Sequence, residues 1–161
     1  MKTTLETFTA TTASSLQALN NDGLIHRAQS LVKEEQRLAK EVIDALVEIS
    51  RRRLHWQMAC SSLFEFCVKI LGYSEGAAFR RVKSAELMLR LPEEKSQKVS
   101  KEIEVGKINL TQMAAGQSFV NHEQKITKTK VTAERAMELL EKVKNKSTRQ
   151  TEKILDRKST R

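Results

Sequence analysis

The sequence contains few of the residues that build tight turns and β-sheets. It has five glycines and one proline among 161 residues, and aromatic residues make up only 4% of it. A β-sandwich or β-barrel needs many turns, and glycine and proline supply much of their backbone geometry. Leucine, alanine, lysine and glutamate are common instead, and these residues favour helices. The composition therefore predicts an all-α protein, and the patterns described below predict a multi-helical bundle with a long N-terminal helix and a helix-turn-helix-like pair.

Long apolar runs and cysteines suited to a disulfide are also missing. No apolar stretch is long enough to span a membrane, and the first twenty residues lack the continuous apolar core of a secretory signal. Cys60 and Cys67 are the only cysteines, and their separation along one predicted helix is too large for a disulfide. We expect both to be buried, reduced thiols of a cytoplasmic protein that has no membrane partner.

Recognisable catalytic and metal-binding motifs are absent from the sequence. It has no phosphate-binding glycine loop, no G-x-S-x-G motif and no C-x-x-C pair. Its histidines, His26, His55 and His122, are far apart, and no two of them have the spacing of metal ligands. We therefore expect no catalytic residue, no metal site, no cofactor and no enzymatic activity.

Positive charge is in excess and is concentrated towards the C-terminus. The formal net charge at pH 7 is +9, and residues 121–161 carry twelve lysines and arginines against six aspartates and glutamates. A basic end of this kind is typical of proteins that bind a polyanion, most commonly nucleic acid. A solvated tail without a binding role is the alternative interpretation.

The chain is predicted to have three parts. They are a flexible Thr/Ser-rich tail over residues 1–20, a helical domain over residues 21–125 and a basic helical extension over residues 126–161. Side chains that can cap later helices occur at Asn109, Thr132 and Ser147.

A long helix is predicted over residues 24–56, with a cap at Asn21 or Asp22, because no glycine or proline interrupts this stretch. Apolar residues recur along it on one heptad seam, into which Glu35 intrudes. Such a seam fits either a long core helix or a homodimer through helix 24–56. The seam consists of Ile25, Ala28, Val32, Ala39, Val42, Leu46 and Ile49, and Leu31, Leu38 and Ala45 widen it.

Residues 62–90 match the plan of a helix-turn-helix. Ser62 opens a capping box, and the short helix that follows is apolar on nearly all sides, so we expect it to be deeply buried. Gly72 can take the left-handed conformation that ends a helix. Ser74 can then cap a second helix that runs to about Arg90. In a helix-turn-helix, the N-terminal residues of the second helix face the DNA major groove.

This interpretation places a recognition helix over residues 74–90 against double-stranded DNA. Arg80 and Arg81 fall opposite its core side, and arginine can bind guanine or a phosphate with two hydrogen bonds. Gly76 and Ala77 leave room for a close approach. Basic residues near the end of the long helix and in the last two helices can contact phosphates. The predicted nucleic-acid-binding residues are Arg51, Arg52, Arg53, Ser74, Arg80, Arg81, Lys83, Ser84, Lys144, Lys146 and Arg149.

Three segments occur in an order and with gaps that match a known group of proteins. They are "SSLFEFCVKILGYSEGAAFRRVKSAELMLRLPE", "KEIEVGKINLTQMAAGQSFV" and "ELLEKVKNKSTRQTEKIL". Together they cover most of residues 54–155, and they resemble the helical N-terminal region of a group of bacterial HNH endonucleases. The resemblance implies a helical module that handles DNA.

The catalytic part of those nucleases has no counterpart in this sequence. Their C-terminal HNH domain uses a histidine base and a divalent metal ion, whereas this sequence ends at Arg161, soon after the third segment. The resemblance therefore implies a non-catalytic protein that contacts duplex DNA through a basic helix and a basic C-terminal region. Two alternatives are a helical protein–protein interaction or dimerisation module, and a truncated HNH endonuclease whose catalytic domain is missing.

Overall fold

The computed structural model describes residues 15–159, which form α-helices joined by short connections, with no strand among them. The predicted all-α fold is therefore confirmed for the described residues. Most of the tail predicted over residues 1–20 lies outside them. The helices are α1 (Asn21–Arg51), α2 (Leu54–Gln57), α3 (Leu63–Lys69), α4 (Glu75–Arg90), α5 (Glu93–Glu104), α6 (Leu110–Thr127), α7 (Ala133–Val143) and α8 (Thr148–Ser159).

The chain divides into two units, and the boundary between them follows Glu35, within α1. In the first unit, Asn20 caps α1, because its side-chain oxygen accepts a hydrogen bond of 2.8 Å from the amide of Gly23. The predicted caps, Asn21 and Asp22, are instead the first residues of the helix. The prediction of a helix start here is right, and the capping residue is one position earlier.

The long helix ends at Arg51 rather than continuing over residues 24–56 as predicted. Arg53 takes a left-handed backbone conformation with a φ of 57°, and α2 begins directly after it. No glycine or proline marks this break, so nothing in the sequence pattern indicates it. The break brings His55 into a buried position, where it is 8% exposed.

The core of the second unit is built around α4 and α6, which pack against each other more extensively than any other described pair of helices. Helix α6 also contacts α7 and α8, and α4 also contacts α3 and α5. The C-terminal part of α1 contributes Ile43, Leu46 and Val47 to this core. The predicted heptad seam is therefore a core surface at this end of α1, and that part of the helix is not free to form a homodimer.

The two cysteines are free and buried, as predicted, but they do not share a helix. Cys67 lies in α3, whereas Cys60 precedes the N-terminal cap of α3 at Ser62. Burial raises the pKa of the Cys67 thiol, and the positive charge of Arg81 partly opposes this shift.

The predicted capping residues of the later helices all act as caps. In each, the side-chain oxygen accepts a hydrogen bond from the amide three residues along the chain. These bonds satisfy amides that have no acceptor inside their own helix. The capping residues are Ser62, Ser74, Asn109, Thr132 and Ser147.

Candidate nucleic-acid interface

Helix α3, the first helix of the predicted helix-turn-helix, is fixed at its start. The Glu65 carboxylate accepts hydrogen bonds of 2.7 Å from both the amide and the hydroxyl of Ser61. It also accepts a bond of 2.5 Å from the ammonium group of Lys69. The Lys69 bond is the largest cause that lowers the pKa of Glu65 to about 2, and the Ser61 bonds add to it. The carboxylate therefore accepts hydrogen bonds from Ser61, whereas in the predicted capping box it would accept one from the backbone amide of Ser62. Its partner is one residue earlier than predicted.

The turn between α3 and α4 has the predicted geometry. Gly72 has a φ of 71°, in the left-handed region that glycine adopts without strain. No non-neighbouring atom lies within 4 Å of the place a Cβ would occupy, so the backbone conformation, not space, requires glycine. The amide of Tyr73 donates to the carbonyl of Cys67 across the turn at 3.1 Å. Ser74 then caps α4, accepting a 3.4 Å bond from the amide of Ala77.

Helix α3 is buried on one side only, so the prediction of a deeply buried helix is wrong. Phe66 and Cys67 are buried, whereas Phe64, Ile70 and Leu71 are 37%, 45% and 42% exposed. The physical reason is that this short helix packs mainly against α4. Its apolar residues surround the helix, and one packing partner covers only the side that faces it.

The exposed face of α4 lies at its N-terminal end. Glu75, Gly76, Phe79 and Arg80 are exposed, whereas most side chains after Lys83 are buried. The helix therefore presents its first turns to solvent. These are the turns whose side chains contact base edges in a helix-turn-helix.

Arg80 is the arginine of α4 that faces solvent. No carboxylate of residues 15–156 forms an ion pair with its guanidinium group. A Cβ added at Gly76, one turn earlier, would lie 3.7 Å from Nη1 of Arg80 and would meet no other non-neighbouring atom within 4 Å. The guanidinium group is therefore available for bidentate hydrogen bonds to a ligand.

Arg81 is committed to the turn rather than to solvent. Its guanidinium carbon lies 4.1 Å from the centroid of the Tyr73 ring, and its Nη1 donates a 3.3 Å hydrogen bond to the carbonyl of Ala77. Its Nε atom is buried and has no hydrogen-bond partner among the described residues. The cation–π contact braces the turn against the start of α4. Of the two predicted arginines, Arg81 thus has its guanidinium group in contact with Tyr73 and Ala77, whereas Arg80 does not.

Ser84 was expected on the outer side of α4, and this prediction is wrong. Its side chain is 0% exposed, and its hydroxyl donates a 2.7 Å hydrogen bond to the carbonyl of Arg80. The reason is that α4 packs extensively against α6, and most residues in the C-terminal part of α4 are buried. Lys83 lies at the edge of the exposed face, 21% exposed, and pairs with Glu86 at 2.7 Å.

The basic residues at the end of α1 are largely neutralised. Arg52 pairs with Glu48 at 2.6 Å, and Arg51 lies 3.5 Å from Glu93 of α5. Arg53 instead places its guanidinium group 4.9 Å from the centroid of the Trp56 ring. The predicted cluster therefore contributes less free positive charge than its sequence indicates.

The basic C-terminal residues divide into one paired lysine and two exposed cations. Lys144 forms ion pairs with Glu102 and Glu141 and is 19% exposed. The hydrogen bond with Glu102 is the largest cause that raises the pKa of Lys144. Lys146 and Arg149 are exposed, and no carboxylate within residues 15–156 pairs with them.

Two features of this surface were not predicted. Phe79 is 46% exposed on the outer face of α4. The spacing of the core residues along α4 does not indicate the exposure of Phe79, because Phe79 directly follows the buried Ala78. The second feature is a group of exposed lysines that have no carboxylate partner among the described residues: Lys125, Lys128 and Lys130. Their alternation with threonine in "KITKTK" indicates an exposed basic segment.

A polar cleft of about 320 Å³ lies between the C-terminal part of α1 and α5. Its lining carries three cations and three carboxylates, and two of the cations, Lys40 and Arg51, pair with carboxylates of the lining. Lys40 lies 2.9 Å from Asp44, which also accepts a 3.1 Å hydrogen bond from Ser100. With its charges paired internally, the cleft has no excess of positive charge for a phosphate group.

Residues 15–159 show no other kind of site. No helix within the described residues is long and apolar enough to cross a bilayer. The same part of the chain contains no cluster of three histidine, cysteine, aspartate or glutamate side chains able to hold a metal ion. Comparison with protein-family models, curated proteins and solved structures finds no match to this chain.

Proposed function

We propose that this chain is a non-catalytic protein that binds double-stranded DNA, with the N-terminal turns of α4 in the major groove. The observation that carries the proposal is Arg80. It lies on the exposed part of a Ser74-capped helix after a glycine turn, and no described carboxylate pairs with it. In a helix-turn-helix the N-terminal residues of the second helix contact base edges, and an arginine without an ion-pair partner can donate hydrogen bonds to them.

The contacts follow from the chemistry of the exposed groups. The guanidinium group of Arg80 donates two hydrogen bonds to O6 and N7 of guanine, or to a phosphate. Lys146 and Arg149, with the lysines of residues 125–130, supply phosphate contacts. The paired cations Arg51 and Arg52 contribute less. The resemblance of the sequence to the N-terminal region of HNH endonucleases supports the same role.

Binding is expected to weaken steeply with salt. If about four phosphates are neutralised, log K falls with log salt with a slope of about −3.6. Affinity then falls about 150-fold between about 50 and about 200 mM salt. Fluorescence anisotropy with a labelled duplex measures this slope. Replacing both Lys146 and Arg149 by glutamine is expected to make the slope shallower by about 1.8.

The matched control for this titration is Arg52→Gln, because Arg52 is exposed but already paired with Glu48. It is expected to leave the slope nearly unchanged. Absence of detectable duplex binding by the unmodified chain at the lowest salt concentration would refute the proposed function.

A second candidate function is self-association through the first unit. Leu24, Ile25, Leu31 and Val32 of α1 are 46%, 57%, 47% and 50% exposed. Leucines seven residues apart give the heptad spacing of a two-stranded coiled coil, and a second copy supplies the same spacing by symmetry. The occupant proposed for this surface is therefore another copy of the chain.

The oligomeric state tests this second candidate. Sedimentation equilibrium is expected to show a dimer, and the double substitution Leu24→Glu with Leu31→Glu is expected to give a monomer of unchanged helicity. The control is Val105→Glu, because Val105 is 61% exposed and lies outside the seam. A monomeric unmodified chain at its highest soluble concentration would rule out the dimer.

A further inference from the structure

The exposed face of α4 carries an aromatic ring that the core does not use. Phe79 is 46% exposed, while Ala78 and Val82, its neighbours on the core side, are 0% and 7% exposed. The ammonium group of Lys83 lies 5.9 Å from the centroid of the phenyl ring, one turn further along the helix. The partly exposed ring therefore lies near a cationic side chain and is adjacent in sequence to the exposed Arg80.

The surroundings of Phe79 leave the ring accessible to a large partner. Gly76, one turn before Arg80, has no side chain, and only the Arg80 guanidinium group lies near its free side. Ser74 and Glu75, which precede it, are both exposed. A duplex can therefore approach the backbone of the first turn closely enough to touch the ring.

We propose that Phe79 is a base-reading residue that contacts the 5-methyl group of a pyrimidine, which is thymine in unmodified DNA. The inference rests on the proposed function. A phenyl ring has no hydrogen-bond donor or acceptor for the polar groups on base edges. The only apolar group that unmodified base pairs present in the major groove is the thymine methyl group. Arg80 and Phe79 together give the helix one hydrogen-bonding and one apolar reader on adjacent residues.

The experiment removes that methyl group and nothing else. Binding sites are first selected with the full chain from a randomised duplex library. Each thymine of the selected site is then replaced by uracil, and the dissociation constant is measured by fluorescence anisotropy. At one position the unmodified chain is expected to bind the uracil duplex about fourfold more weakly, the ratio that corresponds to about 0.8 kcal/mol for one methyl group.

The variants assign that loss to the ring. Phe79→Ala is expected to bind thymine and uracil duplexes equally, whereas Phe79→Leu, which keeps an apolar side chain, is expected to retain part of the preference. Ile126→Ala is the control, because Ile126 is 62% exposed and does not belong to α4. It is expected to keep the full preference. Thermal unfolding of each variant checks that the fold is intact, as expected for a half-exposed ring.

Each outcome separates this inference from the proposed function. Duplex binding without a thymine preference, or a preference that survives in Phe79→Ala, overturns the reading role of Phe79 and leaves DNA binding in place. Tighter binding of single strands, with Phe79→Ala weakening those complexes, also overturns it in favour of base stacking. Failure of the unmodified chain to bind any duplex overturns both proposals. Placing 5-methylcytosine in turn with cytosine at the sensitive position tests the modified base as a second source of the same methyl group. The methylated duplex is expected to bind more tightly than the cytosine duplex, and Phe79→Ala is expected to remove that difference.

Discussion

Arg80→Ala is expected to lower the affinity for duplex DNA about tenfold or more, while leaving the free energy of unfolding nearly unchanged. A bidentate arginine contact contributes about 1–3 kcal/mol to base discrimination. The substitution removes little from the folded protein, because Arg80 is exposed and pairs with no described carboxylate. Arg80→Lys is expected to recover only part of the affinity, since an ammonium group cannot form the planar pair of hydrogen bonds.

Arg81→Ala is expected to give the opposite pattern. Removing its contact with Tyr73 and the packing of its stem destabilises the fold by about 1–2 kcal/mol. Its effect on affinity at a temperature where the variant is folded is expected to be small. Parallel measurements of duplex affinity and of denaturant unfolding for both variants test this division. Equal losses of affinity in the two variants, with unchanged stability, would contradict it and favour a paired role in binding.

The division between these adjacent arginines illustrates which features the sequence reveals. Ser74 and Gly72 are predictable, because a cap or a helix end depends on a residue type at a fixed offset from its partner. The turn and the bounds of α4 follow from such local rules. The interval between Arg80 and Arg81 is only about 100° around a helix, and a local pattern assigns both to the same side. The contacts of Arg81 with the Tyr73 ring and with the Ala77 carbonyl distinguish it from Arg80.

Properties of the site that depend on distant partners are not predictable in this way. Lys144 bonds to Glu102, a residue 42 positions away, and Arg51 approaches Glu93 of another helix. Sequence reasoning counts these cations as free because nothing local shows their partners. The burial of Ser84 has the same origin, since the packing of α6 against α4 decides it. The number of cationic residues in the sequence is therefore an upper limit on the number of unpaired cations that the folded bundle can present to DNA.

Gln112 is expected to be the polar side chain whose loss most destabilises the fold. It is 2% exposed, and its Oε1 accepts a 2.8 Å hydrogen bond from the amide of Asn109. Its Nε2 donates bonds of 2.9 Å and 2.5 Å to the carbonyls of Val143 and Lys146. The side chain thus caps α6 and ties it to the end of α7 and to the segment that carries the exposed cations Lys146 and Arg149.

Gln112→Ala is expected to lower the free energy of unfolding by about 3–4 kcal/mol, because it deletes three hydrogen bonds, leaves buried groups unsatisfied and opens a cavity. Gln150→Ala is a matched control. Gln150 is the third residue of α8, as Gln112 is of α6, and it accepts a 2.9 Å bond from the Ser147 amide, but it is exposed. Its loss is expected to cost about 1 kcal/mol or less. Urea unfolding followed by circular dichroism compares the two variants. Similar losses would mean that the bonds from Gln112 to the two carbonyls contribute little, and that α6 is joined to the basic C-terminal segment by apolar packing alone.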